Sequence, residues 1–136
     1  MDVAAQSAVI TTGTDYGPVK VEWHVLTNEP GGLNSSASQT DAFTEVAEFS
    51  MAFDVGELWL FSPFSGPPPV HLLTDDPGTW RTRVHARGRD LAASHGPVLT
   101  EPIESHLLLL WKAPMKPIQL LRGTDEVGKQ FGRVPN

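Results

Sequence analysis

Gly78-Thr79-Trp80-Arg81-Thr82-Arg83-Val84-His85-Ala86-Arg87-Gly88-Arg89-Asp90 carries four of the ten Lys and Arg residues of the chain, and its reading decides the fold. At a period of two, Trp80, Thr82, Val84 and Ala86 share one face of an extended segment, and Arg81, Arg83, His85 and Arg87 share the other. One face suits a core and the other forms a cationic row. Gly88 breaks the strand, and Arg89 follows in the exit turn. Arg81, Arg83, His85, Arg87 and Arg89 are therefore the candidate binding residues, a surface for anions or for an acidic partner.

Working outward, Asp75-Asp76-Pro77-Gly78 is a turn signal with Pro at its second position, and residues 70–73 form a short strand ahead of it. Residues 91–104, interrupted by Pro97 and Pro102, read as a long loop. Residues 105–112 then bring Leu107, Leu108, Leu109, Leu110 and Trp111, apolar on both faces, as in a strand central to a sheet. Residues 19–25 alternate cleanly, with Val19, Val21, Trp23 and Val25 inward and Lys20, Glu22 and His24 outward. Residues 33–40 are a polar, Ser-rich loop. Between 41 and 53 helical and strand spacings compete; a turn followed by a strand from about Ala47 is expected, making a hairpin with residues 57–61. Three successive prolines, Pro67 to Pro69, rule out regular structure before residue 70 and leave a loop with Phe64 exposed. Residues 118–121 form a last edge strand, and 123–136 a polar C-terminal tail.

Twelve Pro and twelve Gly over 136 residues leave few windows for a long helix. The fold class expected is all-β and mostly antiparallel. A single domain over residues 1–122 would form a β-sandwich or flattened barrel with long Pro/Gly-rich loops and little helix. Zero cysteines exclude a disulfide framework, a thiolate metal site and a Cys nucleophile. The first six residues hold no basic region or apolar run of signal length, and no apolar run is long enough to span a bilayer. A cytoplasmic, non-membrane protein is expected.

The formal charge of −6 is unevenly placed. Through Trp80, eleven acidic residues face the single Lys20; from Arg81 onward, nine basic residues face five acidic ones. Such asymmetry suits complementarity between the halves, or two partner surfaces of opposite sign. An acidic pI near 5.2 argues against nucleic acid as the partner.

No Gly-x-Ser-x-Gly elbow, phosphate loop or His-Glu-x-x-His pair occurs. Of the five histidines, His24, His85 and His106 fall on the longer expected strands, yet no two have a metal-binding spacing. No metal, cofactor or catalytic residue is expected. Glu101 and Glu104 precede the Leu-rich strand and could pair with the Arg row across strands. Trp23, Trp59, Trp80 and Trp111 are expected in the core.

Residues 77–90 followed by 104–114, with Glu104-Ser105-His106 leading into the Leu run and Trp111-Lys112-Ala113-Pro114, resemble a signature of small bacterial proteins, many of them actinobacterial, to which no activity attaches. From Asp41 onward the order of elements also resembles competence protein J, the inhibitor of a bacterial DNA-entry nuclease. The shared pattern is an apolar strand pair, a Pro-Gly-aromatic turn into a strand, then a strand ending in an aromatic and Pro. The Arg-rich strand is not part of that pattern. The resemblance implies a shared fold and an inhibitor's role.

Together these readings give a non-enzymatic protein-binding module, an inhibitor or immunity-type protein whose acidic surface meets a basic partner such as a nuclease. A homo-oligomer is compatible with them. The competing expectation is a β-barrel that binds a small anion or a metal-dependent ligand, or acts as an enzyme, through Arg81, Arg83 and His85.

Overall fold

The computed structural model describes residues 2–4, 7–9, 12, 18–31, 43–53, 58–60, 69–73, 76–94 and 101–131. The cationic stretch is the strand Gly78–Arg87, at the centre of a five-stranded sheet. In chain order the strands are β1 (Asp2–Ala4), β2 (Ser7–Val9), β3 (Lys20–Val25), β4 (Glu45–Phe53), β5 (Leu58–Leu60), β6 (Val70–Leu73), β7 (Gly78–Arg87), β8 (Ser105–Lys112) and β9 (Gln119–Gly123). Two short helices, α1 (Arg89–Ser94) and α2 (Glu126–Phe131), follow β7 and β9. The main sheet runs β3-β8-β7-β4-β9 and stays open, with β1–β2 and β5–β6 as separate two-stranded ladders. Its pairings are antiparallel except β3 with β8, which is parallel. The all-β, mostly antiparallel expectation holds, and of its two variants the barrel is excluded because β3 and β9 are separate edges.

Alternation along β7 sorts the sheet into two faces. On one, Trp80 and Val84 join Phe49, Met51 and Phe53 of β4 and Leu108 and Leu110 of β8 in the main core. Leu72 of β6 is part of this core, and Leu58 and Leu60 of β5 pack against it, so the small hairpin forms a second layer. Removing a large aliphatic such as Leu110, wholly buried, would cost about 2–5 kcal/mol. The opposite face holds a smaller cluster of Phe43, Val46 and Leu107 around the row that contains Arg81, Arg83 and His85.

Four expectations are corrected. First, β4 does not form a hairpin with β5; it pairs with β7 through nine residue pairs, from Glu45 opposite Ala86 to Phe53 opposite Gly78. That register sets Glu48 opposite Arg83 and Ser50 opposite Arg81, a charge match that Leu58-Trp59-Leu60 cannot supply; β5 pairs with β6 instead. Second, part of the expected 91–104 loop is α1. Gly88, at φ 79°, turns the chain, its carbonyl accepts from the Ala92 amide at 2.9 Å, and Leu91-Ala92-Ala93 is good helix-forming sequence. Third, the expected polar tail contains α2, started by Asp125, whose Oδ1 accepts the Gly128 amide at 2.8 Å. Asp90 of α1 accepts the Glu126 and Val127 amides, both at 3.0 Å; these carboxylates satisfy the amides that a helix start leaves open. Fourth, Val25 is exposed, since β3 lies at the sheet edge. The expected exposure of Phe64 falls outside the described residues.

Candidate functional site

The cationic row can be followed residue by residue. Arg81 is 1 % exposed and Arg83 5 %, so both guanidinium groups need internal partners. One carboxylate serves both: Arg81 Nε donates to Glu48 Oε1 at 3.1 Å and Arg83 Nε to Glu48 Oε2 at 2.6 Å. Arg81 also donates to Ser50 Oγ at 3.0 Å and to the carbonyls of Lys116 and Pro117 at 3.1 and 3.0 Å. Arg83 reaches the Gly31 carbonyl at 2.8 Å and lies 5.8 Å from the Trp111 ring centroid. The surplus positive charge of this Arg-Glu-Arg bridge is met by three carbonyl dipoles. Its chemistry is structural: it ties β7 to β4, to the chain after β8 and to the chain after β3.

His85, fully buried, sits next in the row against the Phe43 ring, with centroids 5.2 Å apart. Its Nδ1 lies 3.1 Å from the Leu107 carbonyl. A carbonyl can only accept, so Nδ1 carries the proton, and Nε2 is buried with no partner among the described residues. Burial is the main cause that lowers its pKa to about 4. The Leu107 bond and Glu48 oppose the shift, while the Arg83 and Arg122 charges add to it. His85 is a neutral imidazole at pH 7.

Arg87 ends the row and is exposed, its guanidinium 5.3 Å from the Phe43 centroid. Arg89 leaves the row altogether. It grips Asp125 with two bonds of 2.7 Å and lies 3.9 Å from Glu45. A Cβ on Gly128 would sit 2.5 Å from Glu45 Oε2 and 2.9 Å from Arg89 Nη2; glycine there lets α2 close over this cluster. The structure thus brings Arg81, Arg83 and His85 together inside the sheet, leaves Arg87 at its rim and commits Arg89 to the helix corner.

The pairing suggested for Glu104 is replaced by a closer one: His106 Nε2 lies 2.5 Å from Glu104 Oε2, both side chains being buried. Glu101 is exposed. The acceptor for the row is Glu48, whose relation to β7 depends on a pairing between strands 33 residues apart. Its sequence signal was the strand alternation of residues 46–50, which puts Glu48 between Val46 and Ser50. His24 is exposed and paired with Glu22 at 2.9 Å, and His106 points to the opposite face from His85. No group of three His, Cys, Asp or Glu side chains among the described residues could hold a metal ion.

Of the four tryptophans, Trp80 and Trp111 are buried and Trp23 packs against the core. Trp59 departs from expectation at 45 % exposure. With Leu58 and Leu60 turned inward on a three-residue strand, the residue between them must face out; it lies against the His71 ring. No described helix is long and apolar enough to cross a membrane. No protein-family model, curated protein or solved structure matches the chain.

Proposed function

We propose that the chain is a non-enzymatic binding module whose partner is another protein. The observation that carries this reading is Trp59. It projects from a hairpin whose other face is anchored in the core by Leu60 and Leu72, and it lies against the ring of His71, its partner across the hairpin. A tryptophan held at the surface by a fixed backbone offers a large contact area with little entropy left to lose, the quality of an interface anchor. The Arg81-Glu48-Arg83 bridge supports the same reading, because these cations are engaged within the sheet.

An inhibitor or immunity-type role toward a basic partner such as a nuclease is the sharper form of the proposal. Net charge of −6 would speed association with such a partner, and the element order resembling competence protein J points the same way. A cytoplasmic setting belongs to the proposal and is supported by the lack of cysteine.

The test is affinity capture from the native host with the immobilised full chain, wild type beside Trp59→Ala, followed by mass spectrometry. A basic protein retained by the wild type and lost with Trp59→Ala, at unchanged melting temperature, is the expected result. Identical captured sets from the two proteins would refute the role given to Trp59.

A further inference from the structure

The rim of the cationic row contains a second feature, on the sheet face opposite the Trp59 hairpin. Ser105 is paired with Lys20 of β3 on one side and with Arg87 of β7 on the other. Lys20, Ser105 and Arg87 therefore form one line across three adjacent strands, all pointing to the same face. At a strand spacing of roughly 4.8 Å the two cations start about 10 Å apart. Their long side chains can close on a group seated over the Ser105 hydroxyl. A cleft of about 150 Å³ lies there, lined among others by Lys20, Glu22, Phe43, Arg87, Ser105 and Leu107. Pockets for drug-sized ligands run to about 300–1,000 Å³, so this smaller cleft suits a head group of a few atoms.

Charge at this line differs from the rest of the row. Arg81, Arg83 and Arg89 each hold a carboxylate. Among the described residues, Lys20 and Arg87 have none within ion-pair distance. Glu22 lines the same cleft, but its carboxylate is bonded to His24 at 2.9 Å. That bond, ahead of the charges of Lys20 and Arg87, holds its pKa below the usual carboxylate range. Two cations against one carboxylate leave an excess of one positive charge. The Arg87 guanidinium carbon lies over the Phe43 ring, 5.3 Å from its centroid, and its N–H groups are of the kind that fork onto planar oxyanions. Buried Phe43 and Leu107 form an apolar wall, which strengthens a charge contact beside it.

We propose that this cleft binds an oxyanion head group, a carboxylate or a phosphate, through the Arg87 fork, the Lys20 ammonium and the Ser105 hydroxyl. The site is independent of the partner surface at Trp59.

The test is an NMR titration of the full ¹⁵N-labelled chain with inorganic phosphate and, separately, with acetate, sodium chloride being adjusted to hold ionic strength constant. The amides of Lys20, Phe43, Arg87 and Ser105 are expected to shift to saturation in at least one arm, and the tighter arm names the oxyanion. Arg87→Gln and Lys20→Gln should each weaken that binding by about tenfold or more, the usual loss for a charge-assisted contact. Because Arg87 also stacks on Phe43, Lys20→Gln decides the matter if Arg87→Gln lowers the melting temperature. Shifts that rise without saturating in both arms, or saturation unchanged by Lys20→Gln, would overturn the proposal. Neither result would touch the Trp59 reading, whose variant and readout are different.

Discussion

His85 shows how one residue's surroundings set a property of the whole chain. Unfolded, its imidazole takes up a proton near pH 6.5; folded, it does so only near pH 4. The unfolded state therefore binds more protons between those values, and stability falls as the pH is lowered through that window. The loss at its lower end is about 3 kcal/mol. Urea unfolding of wild type and His85→Leu at a series of pH values should show the difference between the two curves changing between pH ~6.5 and ~4 and level outside it. A constant difference across the window would mean that His85 titrates normally and is not desolvated. Leu also replaces the buried lone pair of Nε2 with hydrocarbon, so the variant need not be unstable at neutral pH.

At the scale of elements, Gly88 is the hinge between the central strand and α1. Its φ of 79° is strained for any residue with a side chain, and a Cβ would lie 2.5 Å from the Ile103 carbonyl oxygen. Gly88→Ala is therefore expected to lose about 2–4 kcal/mol, the left-handed penalty adding to a clash with backbone. Thermal unfolding checks it; a loss below ~0.5 kcal/mol would mean that the turn re-forms in another geometry. The same element scale explains what could be read in advance. Strands β3, β7 and β8 were legible because six to ten residues of alternation or unbroken apolar sequence leave little choice of period. The partners of β4 were not, because a nine-residue strand with several Phe and Met suits many neighbours until Glu48 is matched to Arg83. At six residues each, α1 and α2 are too short to declare a helical period, and α2 depends on Asp90 and Asp125 as caps. Trp59 could not be assigned a face from a strand of three residues that are all apolar.

At the scale of the whole molecule, described acidic residues of the first half pair with basic residues of the second. Glu29, Glu45, Glu48 and Asp76 of the first half face Lys116, Arg89, Arg81 with Arg83, and Lys112 of the second. Exposed pairs such as Lys116 with Glu29 contribute little; the buried bridge at Glu48 is a different case. With both arginines desolvated, Glu48 is the carboxylate that balances them, and removing it would leave two buried cations short of a partner. The candidate residues of the row were thus legible as a group, while their division was not. The position of β4 makes Arg81 and Arg83 structural and leaves Arg87 for a ligand. Since that division is the central claim, the most direct test is urea unfolding of Glu48→Gln, which keeps the shape of the side chain and removes its charge. A loss of about 3–5 kcal/mol is predicted; a loss under ~1 kcal/mol, the value of a solvent-exposed pair, would contradict it.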